Sequence, residues 1–208
     1  MLNDCKKFGT EPFALMARIA FIGTGILKSF VSKQILSQSD FDIFMNSLDS
    51  PLSNFQNDIN QLYEKKLSKL LFLKKYGHLR PGTYDITIPR YDKKNTFLKD
   101  IQFCNIKNTK TFSINKSTKN KITNSLELEI SVDELFSFIK NSLEMREQIK
   151  FEFTKNLSDA LELIAESAEN LGFTRDEISY LDIKTILTSF SKYNESNLKQ
   201  FWKNKINF

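Results

Sequence analysis

The sequence predicts a mainly α protein, a helical bundle interrupted by an ordered Pro/Gly loop and a lysine-rich, partly disordered or weakly β insertion. Three observations predict it. Apolar residues recur at three- and four-residue spacing over 13–75 and again over 133–190. Residues 76–92 gather Gly77, Pro81, Gly82 and Pro89, which forbid a regular helix. Residues 93–124 hold eight lysines against the single acid Asp100, with Asn, Thr and Ser between scattered apolar residues. The expected organisation is a helical half at 1–92 carrying the loop, the insertion at 93–124, and a second helical half at 125–208.

A chain of 208 residues, 40% of them hydrophobic, is long enough and apolar enough to build a core, which excludes a wholly disordered chain. The net charge is +5, but 93–124 alone sums to +7, so the remainder sums to 5 − 7 = −2 and the basicity is local. Bulk charge is therefore no argument for nucleic acid. Cys5 and Cys104 have neither CxxC spacing nor a nearby histidine, so no disulfide framework or zinc site is readable, and a reducing cytoplasm is the expected compartment.

The first helix is expected after Pro12, whose fixed φ suits a first turn. Its run from Phe13 to Val31 is apolar but carries Arg18 and Lys28, and a central arginine is costly in a bilayer, so the run reads as a buried helix with no membrane span. Gly23-Thr24-Gly25 lacks the third glycine and the preceding strand of a dinucleotide fingerprint, and reads instead as a place where another helix approaches closely. Ser37 to Asp40 supplies capping oxygens for a second helix with Phe41, Phe44, Met45 and Leu48 on one face. Asp49-Ser50-Pro51 marks the next break, before a third helix with Leu52, Phe55, Ile59 and Leu62. A short fourth, about 65–75, carries Leu67, Leu70, Leu71 and Leu73. Beyond the insertion, Asp133 is a candidate cap for a long helix of about 133–170. Its stripe runs from Leu135 to Ala168 and ends at Gly172, a C-cap candidate, with Ser158-Asp159 permitting a break. Thr174 with Glu177 is a capping box, and helices from Asp182 to Phe190 and from Asn194 to Lys205 complete the chain, the last with Trp202 on its apolar side.

The loop concentrates the chemistry. It holds the only histidine, His78, two of the five arginines, Arg80 and Arg90, three of the six tyrosines including Tyr84, and Asp85. In a chain that otherwise uses lysine, arginines in a Pro- and Gly-shaped loop suit planar, bidentate donation to a phosphate or carboxylate, with His78 as a third cation or a proton carrier. On that reading Arg80, Arg90 and His78 converge beside a type II turn at Pro81-Gly82 and form a cationic wall. The competing reading is structural: the arginines satisfy backbone carbonyls or pair with Asp85 and Asp92, bracing the loop between helices.

The segment Phe72 to Asp92, with Tyr76-Gly77-His78-Leu79-Arg80-Pro81-Gly82-Thr83-Tyr84-Asp85 at its centre, resembles the central region of the phosphoenolpyruvate-utilising dikinases, the phosphoenolpyruvate synthase-like and pyruvate phosphate dikinase-like phosphotransferases. Asp4 to Arg18 and Phe151 to Ala165 resemble the flanking helices. Where relatives carry Gly-His-Arg-Gly, this chain has Gly77-His78-Leu79-Arg80. The resemblance implies an ATP-dependent kinase assembled from an ATP-grasp domain, a helical centre and a mobile phosphohistidine domain, with ATP and Mg as its cofactors. This chain matches the centre alone. It has neither a Gly-rich ATP-binding segment nor a Gly-rich Ser-His motif, so it is expected to hold no cofactor of its own, to be inactive alone, and to work beside ATP-grasp and phosphohistidine domains. His78 lies in the loop motif and is not the phosphoryl carrier. The substrate-binding candidates are His78, Arg80, Arg90, Tyr84 and Asp85, facing either acceptor substrate or the visiting phosphohistidine domain. The alternative is a stand-alone helical binding module whose lysine-rich segment holds an anionic partner, nucleic acid or a membrane surface.

Overall fold

A computed structural model describes residues 1–82, 84–94, 112–125, 129–189, 192 and 194–206. Among them there are nine α-helices and no strand: α1 (Leu2–Ser32), α2 (Gln38–Asn46), α3 (Pro51–Tyr63), α4 (Lys69–Tyr76), α5 (Lys116–Ser125), α6 (Val132–Asn170), α7 (Arg175–Ser179), α8 (Ile183–Ser189) and α9 (Glu195–Ile206). The mainly helical class expected from the apolar periodicity is what forms.

Local chemistry sets most of the boundaries. Ser37 with Asp40, Ser50 with Ser53, and Thr174 with Glu177 each close a reciprocal capping box at the start of α2, α3 and α7. Pro51 takes the first turn of α3, where its missing N–H costs nothing. α6 ends at Gly172, whose φ of +84° lets the Phe173 N–H return to the Ala168 carbonyl. α1 and α3 end the same way without glycine, at Gln34 and Lys65 with φ of +55° and +59°. Within α1, Cys5–Thr10 widens into a π-helical stretch where Gly9 meets α6; a Cβ on Gly9 would lie 2.6 Å from the Phe153 Cβ.

The chain divides into two compact units. One comprises Asn3–Ser68 and Gln102–Thr154, the other Met1–Leu2, Lys69–Ile101 and Lys155–Phe208. Each draws on both helical halves, so neither coincides with the expected 1–92 or 125–208 division. The reason is α6, which runs unbroken through Ser158-Asp159 and supplies Val132–Thr154 to one unit and Lys155–Asn170 to the other.

In the first unit, Ala20, Leu27 and Phe30 of α1 pack with Phe44 of α2 and Leu135, Phe136, Ile139 and Leu143 of α6. Gly23 is the close approach expected there, with Ile139 3.2 Å from the position of its missing Cβ. α1 is only half-buried, not buried as expected, because its opposite face exposes Leu15, Phe21 and Ile22. The insertion also differs from expectation. Residues 95–111 lie outside the described residues, but 116–125 is the helix α5, with Ile122 fully buried and Phe112 and Ile114 packed on the core. Those three apolar residues, scattered by sequence, come together once α6 offers Phe136 as a stacking surface for Phe112, at 5.5 Å between ring centres.

In the second unit, Trp202 is fully buried among Ile164, Ala168, Phe173, Ile178 and Leu198, and its indole N–H donates to Ser189 at 2.9 Å. Ile86 of the loop packs on this cluster.

Candidate functional site: an arginine-braced loop

The loop is closed at its base. The Asp92 N–H donates to the Gly77 carbonyl at 3.1 Å and the Tyr91 N–H to the Leu79 carbonyl at 2.8 Å. Gly77 is required by crowding, since a Cβ there would sit 2.4 Å from the Leu73 carbonyl and 2.9 Å from the Asp92 Cβ. At the turn, Gly82 has φ of +78°, the left-handed value that the third residue of a type II turn needs. The Asp85 carboxylate accepts the Thr87 N–H at 2.9 Å and the Thr87 hydroxyl at 2.7 Å, and these two bonds hold its pKa below the usual aspartate value.

Arg80 fills the interior of the loop. Its Nη1 donates to the carbonyls of Asp85 and Ile88 at 3.3 and 3.2 Å, and its Nη2 to the carbonyl and hydroxyl of Ser158 at 3.3 and 3.1 Å. The Ser158 hydroxyl in turn donates to the His78 carbonyl at 2.6 Å. Glu162 lies 3.5 Å from Nη2, with both side chains almost wholly buried. Burial pulls the Arg80 pKa down against the attraction of Glu162, yet a guanidinium remains charged at neutral pH.

Around this centre runs a second ring of ion pairs. Arg90 grips Asp92 through two parallel bonds of 3.0 and 2.6 Å and also donates to Asp159. Arg175 donates to Glu162 at 2.6 Å, to Glu169 at 2.9 Å and to the Ile86 carbonyl at 3.4 Å. Lys93 meets Glu166 at 2.8 Å. Asp159, Glu162, Glu166 and Glu169 recur at three- and four-residue spacing, so one side of α6 receives Arg80, Arg90 and Lys93 of the loop together with Arg175.

Arg80 therefore stands where the bracing reading put it, buried against carbonyls, and the expected cationic wall of Arg80, Arg90 and His78 does not form. The two terminal nitrogens of its planar fork reach three backbone carbonyls and a hydroxyl at once, a spread that a lysine ammonium does not match, while Nε is buried without a hydrogen-bond partner among the described residues. His78 is 8% exposed and Arg90 is mostly covered by its carboxylates. Tyr84, 46% exposed, and Asp85 remain at the open tip. Sequence reasoning missed Ser158, Asp159, Glu162 and Arg175. Their signal was a carboxylate, Glu162, set inside the apolar stripe of the long helix, where a charge demands a partner. Asp92, Asp159, Glu162 and Glu169 are engaged by arginine and Glu166 by Lys93, and among the described residues no three His, Cys, Asp or Glu side chains are grouped to hold a metal ion.

Comparison of the chain with protein-family models, with curated proteins and with solved structures finds no match.

Proposed function

We propose that this chain is the central helical part of a phosphoenolpyruvate synthase-like, ATP-dependent phosphotransferase of the reducing cytoplasm, and that loop 77–92 is its docking platform. ATP, Mg and the phosphoryl-carrying histidine belong on this reading to ATP-grasp and phosphohistidine domains outside these 208 residues. The observation that supports it is the brace itself. A loop rich in Pro, Gly and Tyr, carrying the motif on which the resemblance rests, is held in one shape by a buried arginine in contact with four acceptor atoms. Rigidity before binding is what a surface that positions an acceptor or a visiting domain requires, because ordering it at the moment of binding would weaken the complex.

Burial and exposure support a division of roles on this reading. Arg80, Glu162 and Arg175 are positioning residues, and Tyr84 and Asp85 at the tip are the groups that touch acceptor or carrier domain. Lys119, in the described part of the lysine-rich segment, already pairs with Asp133 at 2.6 and 2.7 Å, which lowers the charge left for an anionic partner.

The purified chain should neither consume ATP nor become phosphorylated, whereas mixing it with ATP-grasp and phosphohistidine domains of a phosphoenolpyruvate synthase-like enzyme should restore transfer to acceptor. In that mixture Tyr84→Ala should lower transfer about tenfold or more at unchanged melting temperature. Transfer of label from ATP by the chain alone, or an unaffected Tyr84→Ala, would overturn the reading.

A further inference from the structure

α1 buries Ala20, Gly23, Leu27 and Phe30 and turns another face outward. On that face Leu15, Phe21 and Ile22 are 61%, 66% and 62% exposed. With 3.6 residues per turn, Glu11, Ala14, Arg18, Gly25 and Lys28 share the same side, and all are exposed. Gly25 is anomalous there. A glycine inside a helix costs about 1 kcal/mol relative to alanine, and a Cβ at this position would meet nothing within 4 Å. Gly23, two residues earlier, is accounted for by Ile139; among the described residues nothing accounts for Gly25.

We propose that this face is a self-association surface, on which α1 of a second copy of the chain packs antiparallel. The register follows from the residues. If α1 crosses its copy about a point between Ile19 and Ala20, each position meets the one whose number complements its own to 39. Ala14 then lies over Gly25 of the second copy, the small-on-small contact that lets two helix backbones approach closely. Glu11 faces Lys28, and the Arg18 guanidinium lies over the Phe21 ring, a cation–π contact. Each pairing occurs twice by symmetry, as an isologous interface requires. Leu15 and Ile22 flank the axis and lose their exposure to water. Charge complementarity selects this occupant over an anionic membrane surface, which would attract Arg18 and Lys28 but repel Glu11, at one end of the same face.

The test is sedimentation velocity of the full chain at about 1 to 100 µM, beside circular dichroism. The wild type should sediment as a dimer of the 24.2 kDa chain. Gly25→Leu should weaken dimerisation about tenfold or more while leaving the helical fold intact, since leucine favours a helix more than glycine does. Glu11→Lys should also weaken it, and Glu11→Lys combined with Lys28→Glu should restore it. A wild type that stays monomeric throughout overturns the proposal, as does a dimer indifferent to Gly25→Leu or a double charge swap no better than the single one. Co-sedimentation of a monomeric protein with phosphatidylserine vesicles would assign the face to lipid instead.

Discussion

The unit formed by Asn3–Ser68 and Gln102–Thr154 is held by rings and aliphatic side chains: Phe44 sets its edge against both Phe112 and Phe136, and α1 and α6 close around them. The unit formed by Met1–Leu2, Lys69–Ile101 and Lys155–Phe208 has its own aromatic cluster at Trp202, but its loop is fixed by guanidinium and carboxylate groups, two of them buried. The difference is one of tolerance. Apolar packing degrades gradually as volume is lost, whereas a buried charge network fails when one member is removed, because the charge left behind has no solvent.

The sharpest way to expose that contrast is Glu162→Gln. It keeps the shape and leaves Arg80 and Arg175 without their shared carboxylate, so a loss of about 3–5 kcal/mol is expected in denaturant unfolding. Amide exchange should accelerate first over the described loop residues. Phe44→Ala should cost a similar amount, about 3–5 kcal/mol, but through a cavity. A double-mutant cycle separates the two: Arg175→Met should cost much less beside Glu162→Gln than in the wild type, and the same amount beside Phe44→Ala as in the wild type. Equal additivity in both backgrounds would show that the two units are held alike.

A smaller and purely conformational break lies at the turn. Gly82→Ala must carry a Cβ at φ of +78°, 3.3 Å from the Ile88 Cδ1, and should cost about 1–2 kcal/mol. If the loop is rigid, the loss appears as lower stability of the whole second unit, because Arg80 ties the turn to α6. A loop that yields locally would show fast exchange near Gly82 and an unchanged unfolding midpoint.

What the sequence disclosed follows the same division. Capping boxes and apolar stripes are local, so α2, α3, α6 and α7 were readable within a few residues. The end caps at Gln34 and Lys65 were not, since they use αL residues without glycine. α4 was found, but it starts at Lys69, so Leu67 lies outside it, and of its apolar residues Leu70 and Leu71 are exposed while Phe72 and Tyr76 are the buried pair. The loop's importance was legible from its composition, but its partners were not. Ser158, Asp159 and Glu162 lie some 70 to 80 residues away, and although a carboxylate inside the apolar stripe signals the need for a partner, nothing local says that the partner is Arg80. α5 was missed for a related reason, as Ile122 gains its burial from elements distant in the chain.

The smallest expected effect is at the outer edge of the network, where Lys93 and Glu166 meet with both side chains about half exposed. A pair so open to water contributes little to stability, and Lys93→Met should leave the melting temperature nearly unchanged. Its signature is in titration. The hydrogen bond and charge of Lys93 hold the Glu166 pKa below the ordinary glutamate value, so whatever the pair contributes is fully present above the unfolded value of about 4.3 and is lost as pH falls through the lowered folded value. Carbon-detected NMR of the Glu166 carboxyl should therefore place its midpoint below that of an ordinary glutamate in the wild type and raise it in Lys93→Met. The same substitution should leave the midpoint of Asp85 in place, because that carboxyl is held down by Thr87. A joint shift of Asp85 and Glu166 would mean that the loop as a whole depends on Lys93, and that the boundary between the buried brace and its exposed rim lies further out than the burial of Arg80 and Glu162 implies.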